Sequence, residues 1–236
     1  MVDTRAENRT DGQAGRFGRV KRSDPGIAIR LEEAPASSKP MNTKLSDLPE
    51  WGSFALVTYI PEPLGSFLHL LRHNLPGEEK PEAHITLLPP RPLKAQAESV
   101  SREAQTILSR FKPFLVVLAD VKVFSETNIM YLEIASGHDA LQELHDALNT
   151  GLLAHEENFD FLPHLTISGP IPSHELARLR AQAKEAWEKR RGETSFEVNE
   201  VVALWQPLHG SPDDWNRVWS QRLGDSGSSA RAGGTR

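Results

Sequence analysis

The chain has 236 residues, 38% of them hydrophobic and 25% charged, with 16 Gly, 17 Pro and no Cys, a composition within the ordinary globular range. The lack of cysteine excludes a disulfide scaffold, a thiolate metal site and a thiol nucleophile. No run approaches the roughly 20 apolar residues of a bilayer crossing, and the formal charge of −5 argues against a protein that tracks long nucleic acids by neutralising phosphates.

Residues 1–50 mix nine Lys/Arg with eight Asp/Glu among Gly, Ser and Pro, and their longest apolar block is Ile27-Ala28-Ile29. Such a segment has too little to bury to offset the entropy of ordering, so the expectation is a disordered N-terminal arm. No apolar h-region follows the start, and Asp3, Glu7 and Asp11 are out of place in a transit peptide, so the expected location is cytoplasmic. Met41 precedes the first apolar segment and is an alternative translation start. Residues 224–236 read as a disordered Gly/Ser tail. Residues 51–223 are left as the expected domain, with 16 Lys/Arg against 23 Asp/Glu.

Within that domain the pattern alternates. Phe54 to Ile60 reads as a strand, Leu64 to Leu75 as a helix with apolar residues at Leu64, Phe67, Leu68, Leu71 and Leu75, and Ala83 to Leu88 as a strand closed by Pro89 and Pro90. Val100, Ala104, Ile107, Leu108 and Phe111 mark a helix, and Phe114 to Phe124 a long strand. The order then repeats: strand Met130 to Ile134, helix through Leu141, Leu144, Leu148 and Leu152, strand Phe161 to Ser168, helix through Leu176, Leu179, Ala183 and Trp187, strand Phe196 to Trp205. A last strand near Arg217 to Leu223 closes an edge. The expected halves are residues 51–125 and 126–223, in a duplicated α+β domain.

The third element of each half carries one seven-residue pattern, His84-Ile85-Thr86-Leu87-Leu88-Pro89-Pro90 and His164-Leu165-Thr166-Ile167-Ser168-Gly169-Pro170. A single His-x-Thr carries little information, since about 0.4 matches are expected by chance in a chain of this composition. Two on equivalent strands, with the same apolar partners and Pro, carry much more. Residues at i and i+2 of a strand share a face, so each strand offers an imidazole beside a hydroxyl while Ile85 and Leu165 point to the core. Two such strands facing one another give a site with two groups that titrate near neutrality and two hydroxyl donors. That set suits a phosphodiester, whose cleavage needs a base, an acid and donors to the nonbridging oxygens.

The paired motifs in duplicated halves resemble the 2H phosphoesterase superfamily, which includes 2′,3′-cyclic nucleotide phosphodiesterases and the 2′-5′ RNA ligase-like proteins. The resemblance implies an α+β, pseudo-twofold bilobal domain with antiparallel sheets lining a central cleft and helices outside. It implies His84 and His164 as catalytic residues, Thr86 and Thr166 as phosphate-binding residues, and no metal or other cofactor. The implied activity is hydrolysis of 2′,3′-cyclic phosphates of RNA ends or nucleotides to a 2′-phosphate, with 2′-5′ ligation as its reverse. His164 is favoured as base and His84 as acid, though pseudo-symmetry leaves the order open. The expected partner is a small nucleotide or RNA terminus, with no membrane and no long duplex, and a monomer is the favoured state.

Further residues are expected near the cleft. Tyr59, Phe161 and Trp205 lie where an aromatic could stack on a base. Arg91 follows the Pro pair within reach of a phosphate, and Ser168 is two residues beyond Thr166. Two rival readings stand beside these: a non-catalytic nucleotide-binding or RNA-end-binding module of the same fold, and a metal-dependent hydrolase built on His69 and His73, which are four apart in a helical segment.

Overall fold

Apolar alternation builds two sheets, and helical stripes cover them. In the computed structural model, which describes residues 51–77, 81–209 and 214–225 apart from the side chain of Trp51, the strands are β1 (Trp51–Tyr59), β2 (His84–Arg91), β3 (Phe114–Val123), β4 (Ile129–Ser136), β5 (His164–Pro170), β6 (Ser195–Val198), β7 (Glu200–Pro207) and β8 (Asn216–Arg222). The helices are α1 (Leu64–His73), α2 (Ala97–Leu108), α3 (His138–Leu148) and α4 (Ser173–Lys189). The expected arm, Met41 and most of the expected tail lie outside the described residues.

Both sheets are four-stranded and antiparallel, ordered β2-β1-β7-β8 and β5-β4-β3-β6. The orders correspond position by position, which is the pseudo-twofold duplication, but the sheets do not divide at residue 125. β3 follows α2 in the first repeat and joins the second sheet beside β4, while β7 follows α4 and returns to the first sheet beside β1. Each repeat thus gives its third strand to the other sheet, and the two lobes are interlocked. The expected single strand from Phe196 to Trp205 is correspondingly two strands, β6 and β7, which part at Asn199 and enter different sheets. β8 closes the edge of the first sheet, as its sequence suggests.

One face of each sheet meets the helices. Ile85, Leu87, Leu165 and Ile167 are buried there together with Leu68, Ala104, Leu144, Ala183 and Trp187. Among the described residues no helix is long and apolar enough to cross a membrane.

The motif strands β2 and β5 are the edge strands of their sheets and pack against each other. An unpaired edge is a liability, and here two edges cover one another. The seam is tied on both sides. At one tie the Gly169 amide donates to the Pro76 carbonyl at 3.0 Å. A Cβ at Gly169 would stand 3.0 Å from the Gly77 Cα, so any larger residue would push the two segments apart by a few tenths of an ångström.

The other tie is a buried cation. Arg91, at the end of β2, donates to the Asn149 Oδ1 at 2.8 Å, the Leu153 carbonyl at 3.0 Å and the Pro89 carbonyl at 3.1 Å, and is paired with Glu157. Asn149 in turn holds the His155 backbone, accepting from its amide at 2.8 Å and donating to its carbonyl at 3.2 Å. His145 is buried beside this group, with Nδ1 donating to the Leu87 carbonyl at 2.7 Å. The cluster fixes the segment that leads into β5. The expectation that Arg91 reaches a phosphate is therefore corrected: its side chain is 1% exposed and its donors are taken by protein acceptors.

Removing Glu157 would strand that guanidinium in the interior. Glu157→Ala is expected to cost about 3–5 kcal/mol of unfolding free energy, measured by urea denaturation; a loss below about 1 kcal/mol would contradict the tie.

Candidate active site

The alternation expected for the motifs is present in both strands. His84, Thr86, His164 and Thr166 are half-buried, while the residues between and after them are in the core. Leu88 and Ser168 break the alternation because β2 and β5 each carry a bulge at this point. Ser168 is accordingly a correction. It is 2% exposed, its hydroxyl accepts from the Met130 amide at 2.9 Å and donates to the Gly169 carbonyl at 2.8 Å, so it repairs the irregular ladder instead of lining the cleft.

The two imidazoles are held identically. His84 Nδ1 meets the Glu82 carbonyl at 2.7 Å, and His164 Nδ1 meets the Leu162 carbonyl at 2.7 Å. A carbonyl can only accept, so each Nδ1 carries a proton and each neutral ring has its lone pair on Nε2. The rings are close enough for charge on His164 to act on His84. Burial pushes the His84 pKa down to about 4, helped by the charges of Arg72 and His164 and opposed by the Glu82 carbonyl. Burial also lowers His164, opposed by the Leu162 carbonyl. At neutral pH both rings are neutral and able to accept a proton at Nε2.

Strand register assigns further side chains to the same face. In the first sheet Tyr59 is opposite His84 and Val57 opposite Thr86, and the ladder continues through Ala55 and Leu204 to Arg217 on β8. The Tyr59 ring is edge-on to His84 with centroids 6.0 Å apart, and the Arg217 guanidinium lies over it at 4.1 Å. Burial raises the Tyr59 pKa, opposed by Arg217. Arg217 also donates to the Glu82 carboxylate at 2.7 Å. In the second sheet Tyr131 is opposite Thr166 and Glu133 opposite His164. Phe124 stacks on Tyr131 at 4.2 Å, and His164 stands edge-on to both rings, at 4.9 and 5.5 Å.

Of the expected aromatics, Tyr59 is thus at the motif. Trp205 is not: it is 3% exposed and belongs to the core. Phe161 stacks on His145 at 3.9 Å, so its flat partner is a protein ring in the Arg91 cluster. Phe124, Tyr131, Glu82 and Arg217 escaped the sequence reading. Tyr131 had a signal, since alternation with buried Met130 and Leu132 puts it on the outward face of its strand. Arg217 had none, because its place depends on which strands are neighbours. His69 and His73 face each other, Nε2 to Nε2 at 3.0 Å; among the described residues no group of three or more His, Asp or Glu is arranged to hold a metal ion.

The low folded-state value of His84 has a signed consequence. Between the ordinary 6.5 and about 4 the unfolded chain takes up a proton that folded His84 refuses. His84 therefore withdraws stability as pH falls through that window and changes nothing above it. Its ring resonances followed by NMR are expected to show His84 titrating well below the ordinary histidine value of 6.5; a midpoint at or above that value would contradict the burial argument.

Comparison with known proteins bears on the family and the fold. The family model of the 2′-5′ RNA ligase superfamily matches residues 60–209. A Geobacillus kaustophilus protein named "Putative phosphoesterase GK0864" is 28% identical over 140 residues, covering 56% of this chain and 77% of its own. A Geobacillus thermodenitrificans namesake is 31% identical over 112 residues, covering 44% and 64%. Among solved structures, E. coli LigT complexed with 3′-AMP superposes with a TM-score of 0.53 at 16% identity, over 75% of this chain and all of that one. The Thermus thermophilus protein TT0787 gives 0.52 at 14% identity, over 74% and 99%. These two likenesses concern the fold. With the family model spanning both His-x-Thr strands, the chain belongs to the 2′-5′ RNA ligase superfamily and is a phosphoesterase of the 2H type.

Proposed function

We propose that this phosphoesterase opens 2′,3′-cyclic phosphates of nucleotides or RNA ends to 2′-phosphates. The observation that carries the reading is the pair of matched imidazoles, each locked through Nδ1 so that Nε2 is the reactive nitrogen. One Nε2 takes a proton from the attacking water as the P–O bond forms. The other, protonated, gives its proton to the ribose 3′ oxygen as the P–O3′ bond breaks. Thr86 and Thr166 donate to the nonbridging oxygens, where charge gathers in the transition state. The Phe124–Tyr131 stack beside His164 offers a flat apolar surface for a base. The 3′-AMP complex of LigT, a fold relative, supports a nucleotide as the ligand class. If a ribose 5′ hydroxyl replaces water as the nucleophile, the same forward steps form a P–O5′ bond as the P–O3′ bond breaks, and the product is a 2′-5′ bond. Water is the more abundant nucleophile, so hydrolysis is the default direction.

The test is incubation with cyclic mononucleotides and a short RNA ending in a 2′,3′-cyclic phosphate, with EDTA present and the products resolved by mass and phosphate position. A 2′-phosphate is expected. His84→Ala and His164→Ala are each expected to lose orders of magnitude in kcat, and Thr86→Val or Thr166→Val about 10²–10³ at most. Near wild-type turnover by either His variant would remove the acid–base pair, and ligand binding without turnover in the wild type would favour the binding module.

A pH profile adds an independent check. The productive free enzyme holds one proton on the pair, and both folded values are lowered. The bell in kcat/KM is therefore expected to be centred below pH 6.5. A maximum above pH 7.5 would contradict the arrangement.

A further inference from the structure

The cleft uses one motif twice, yet its two flanks differ. Beside His164 the flank is the Phe124–Tyr131 stack, with Lys122 and Glu133 forming an exposed 3.5 Å ion pair on the same face. Beside His84 the aromatic is Tyr59, and it carries a cation. Arg217 reaches from β8, past β7, to lay its guanidinium over the Tyr59 ring. Glu82 holds the same guanidinium by its side chain while its carbonyl holds His84. The four residues make a closed circuit of contacts: Glu82 to Arg217, Arg217 to Tyr59, Tyr59 to His84, and His84 back to Glu82.

This placement is informative because residues 51–223 carry an excess of acids, so a cation beside the motif opposes the average field. A guanidinium has five donors in a planar fork that matches a phosphate. Here it sits over a ring, held by Glu82, and its side chain is still 34% exposed. Lys122 is a poorer candidate, a flexible ammonium in a longer exposed pair of small worth.

We propose that Arg217 receives a second phosphate of the substrate, one ring removed from the scissile phosphate, so that the favoured substrate is a cyclic phosphate whose nucleoside bears a further phosphate on its 5′ side. This rests on the cyclic-phosphate reading above and narrows its substrate class. Glu82 acts as the resident carboxylate that orients the fork and competes with the incoming phosphate. Its negative charge repels that phosphate, so neutralising Glu82 strengthens binding.

The test is calorimetric titration of the full chain with three product-like ligands. They are adenosine 2′-monophosphate, adenosine 2′,5′-bisphosphate, and a 3′-5′ linked diadenosine ending in a 2′-phosphate. The bisphosphate or the dinucleotide is expected to bind about 10-fold more tightly than the monophosphate. Gain with the bisphosphate alone assigns a terminal phosphate, and gain with the dinucleotide alone assigns the internal phosphodiester of an RNA end. Arg217→Gln is expected to abolish the gain, Arg217→Lys to keep part of it, and Glu82→Gln to enlarge it. Equal affinity for all three ligands in the wild type overturns the proposal. So does a gain that survives Arg217→Gln or is abolished by Lys122→Gln instead, and so does a failure of the bisphosphate and dinucleotide to bind. Turnover of the cyclic phosphate is scored separately: phosphate discrimination without turnover defeats the hydrolase reading and leaves Arg217 in its role, while turnover without discrimination does the reverse.

Discussion

The site depends on two edge strands being held face to face. β2 and β5 each bring a His and a Thr, and neither strand alone offers more than half of an acid–base pair. Edge strands have little intrinsic reason to stay in register with one another, because no ladder of backbone bonds joins them. The fold supplies the missing constraint from both sides. A backbone bond from Gly169 reaches the segment after α1, and the Arg91–Glu157 pair reaches the segment before β5. The second tie puts a charge in the core, which is costly, and gains direction in return. Arg91 engages Asn149, Leu153, Pro89 and Glu157, so it fixes a loop that apolar contacts alone would leave free to slide. A buried ion pair is weak evidence of stability, and here its effect is better understood as register.

Exchange of β3 and β7 between the sheets reinforces the same constraint. If each repeat kept its own third strand, the lobes could part about a linker, and the distance between the imidazoles would vary with that motion. With strands exchanged, the chain crosses between the sheets twice, through α2 to β3 and again from β6 to β7, so two covalent crossings instead of one tie the lobes together. Catalysis by positioned acid and base is sensitive to shifts on the order of 1 Å, so an interlocked pair of sheets is suited to a site split between two lobes.

How much of this was legible in the sequence follows from the range of each signal. The His-x-Thr pairs, the strand alternation and the helical stripes are local, and each is visible within a dozen residues. The half-buried positions of His84, Thr86, His164 and Thr166 follow from alternation alone. What failed was non-local. Arg91 looks like any loop arginine until its partners Asn149 and Glu157, about sixty positions away, are brought beside it. Ser168 obeys alternation on paper, but a bulge against β4 turns it inward, and bulges leave no mark in an apolar pattern. Trp205 and Phe161 were sound as aromatics near the ends of elements and wrong in their neighbours. Phe196 to Trp205 read as one strand because Asn199, the residue at which the chain changes sheets, interrupts the apolar run only briefly.

Electrostatics gives the last step. In a domain rich in acids, the two cations that flank the motifs on this face are each held by a carboxylate: Arg217 by Glu82, Lys122 by Glu133. Two neutral imidazoles in a partly dry cleft do not repel an incoming anion, and they do not attract it strongly either. The anion itself changes that. A phosphate between His84 and His164 favours protonation of either ring, opposing the burial that keeps both deprotonated in the free protein. On the proposed mechanism, substrate binding then favours loading of the catalytic proton. At neutral pH most empty sites are uncharged, and on the proposed mechanism an incoming phosphodiester raises the fraction that carries the acid's proton.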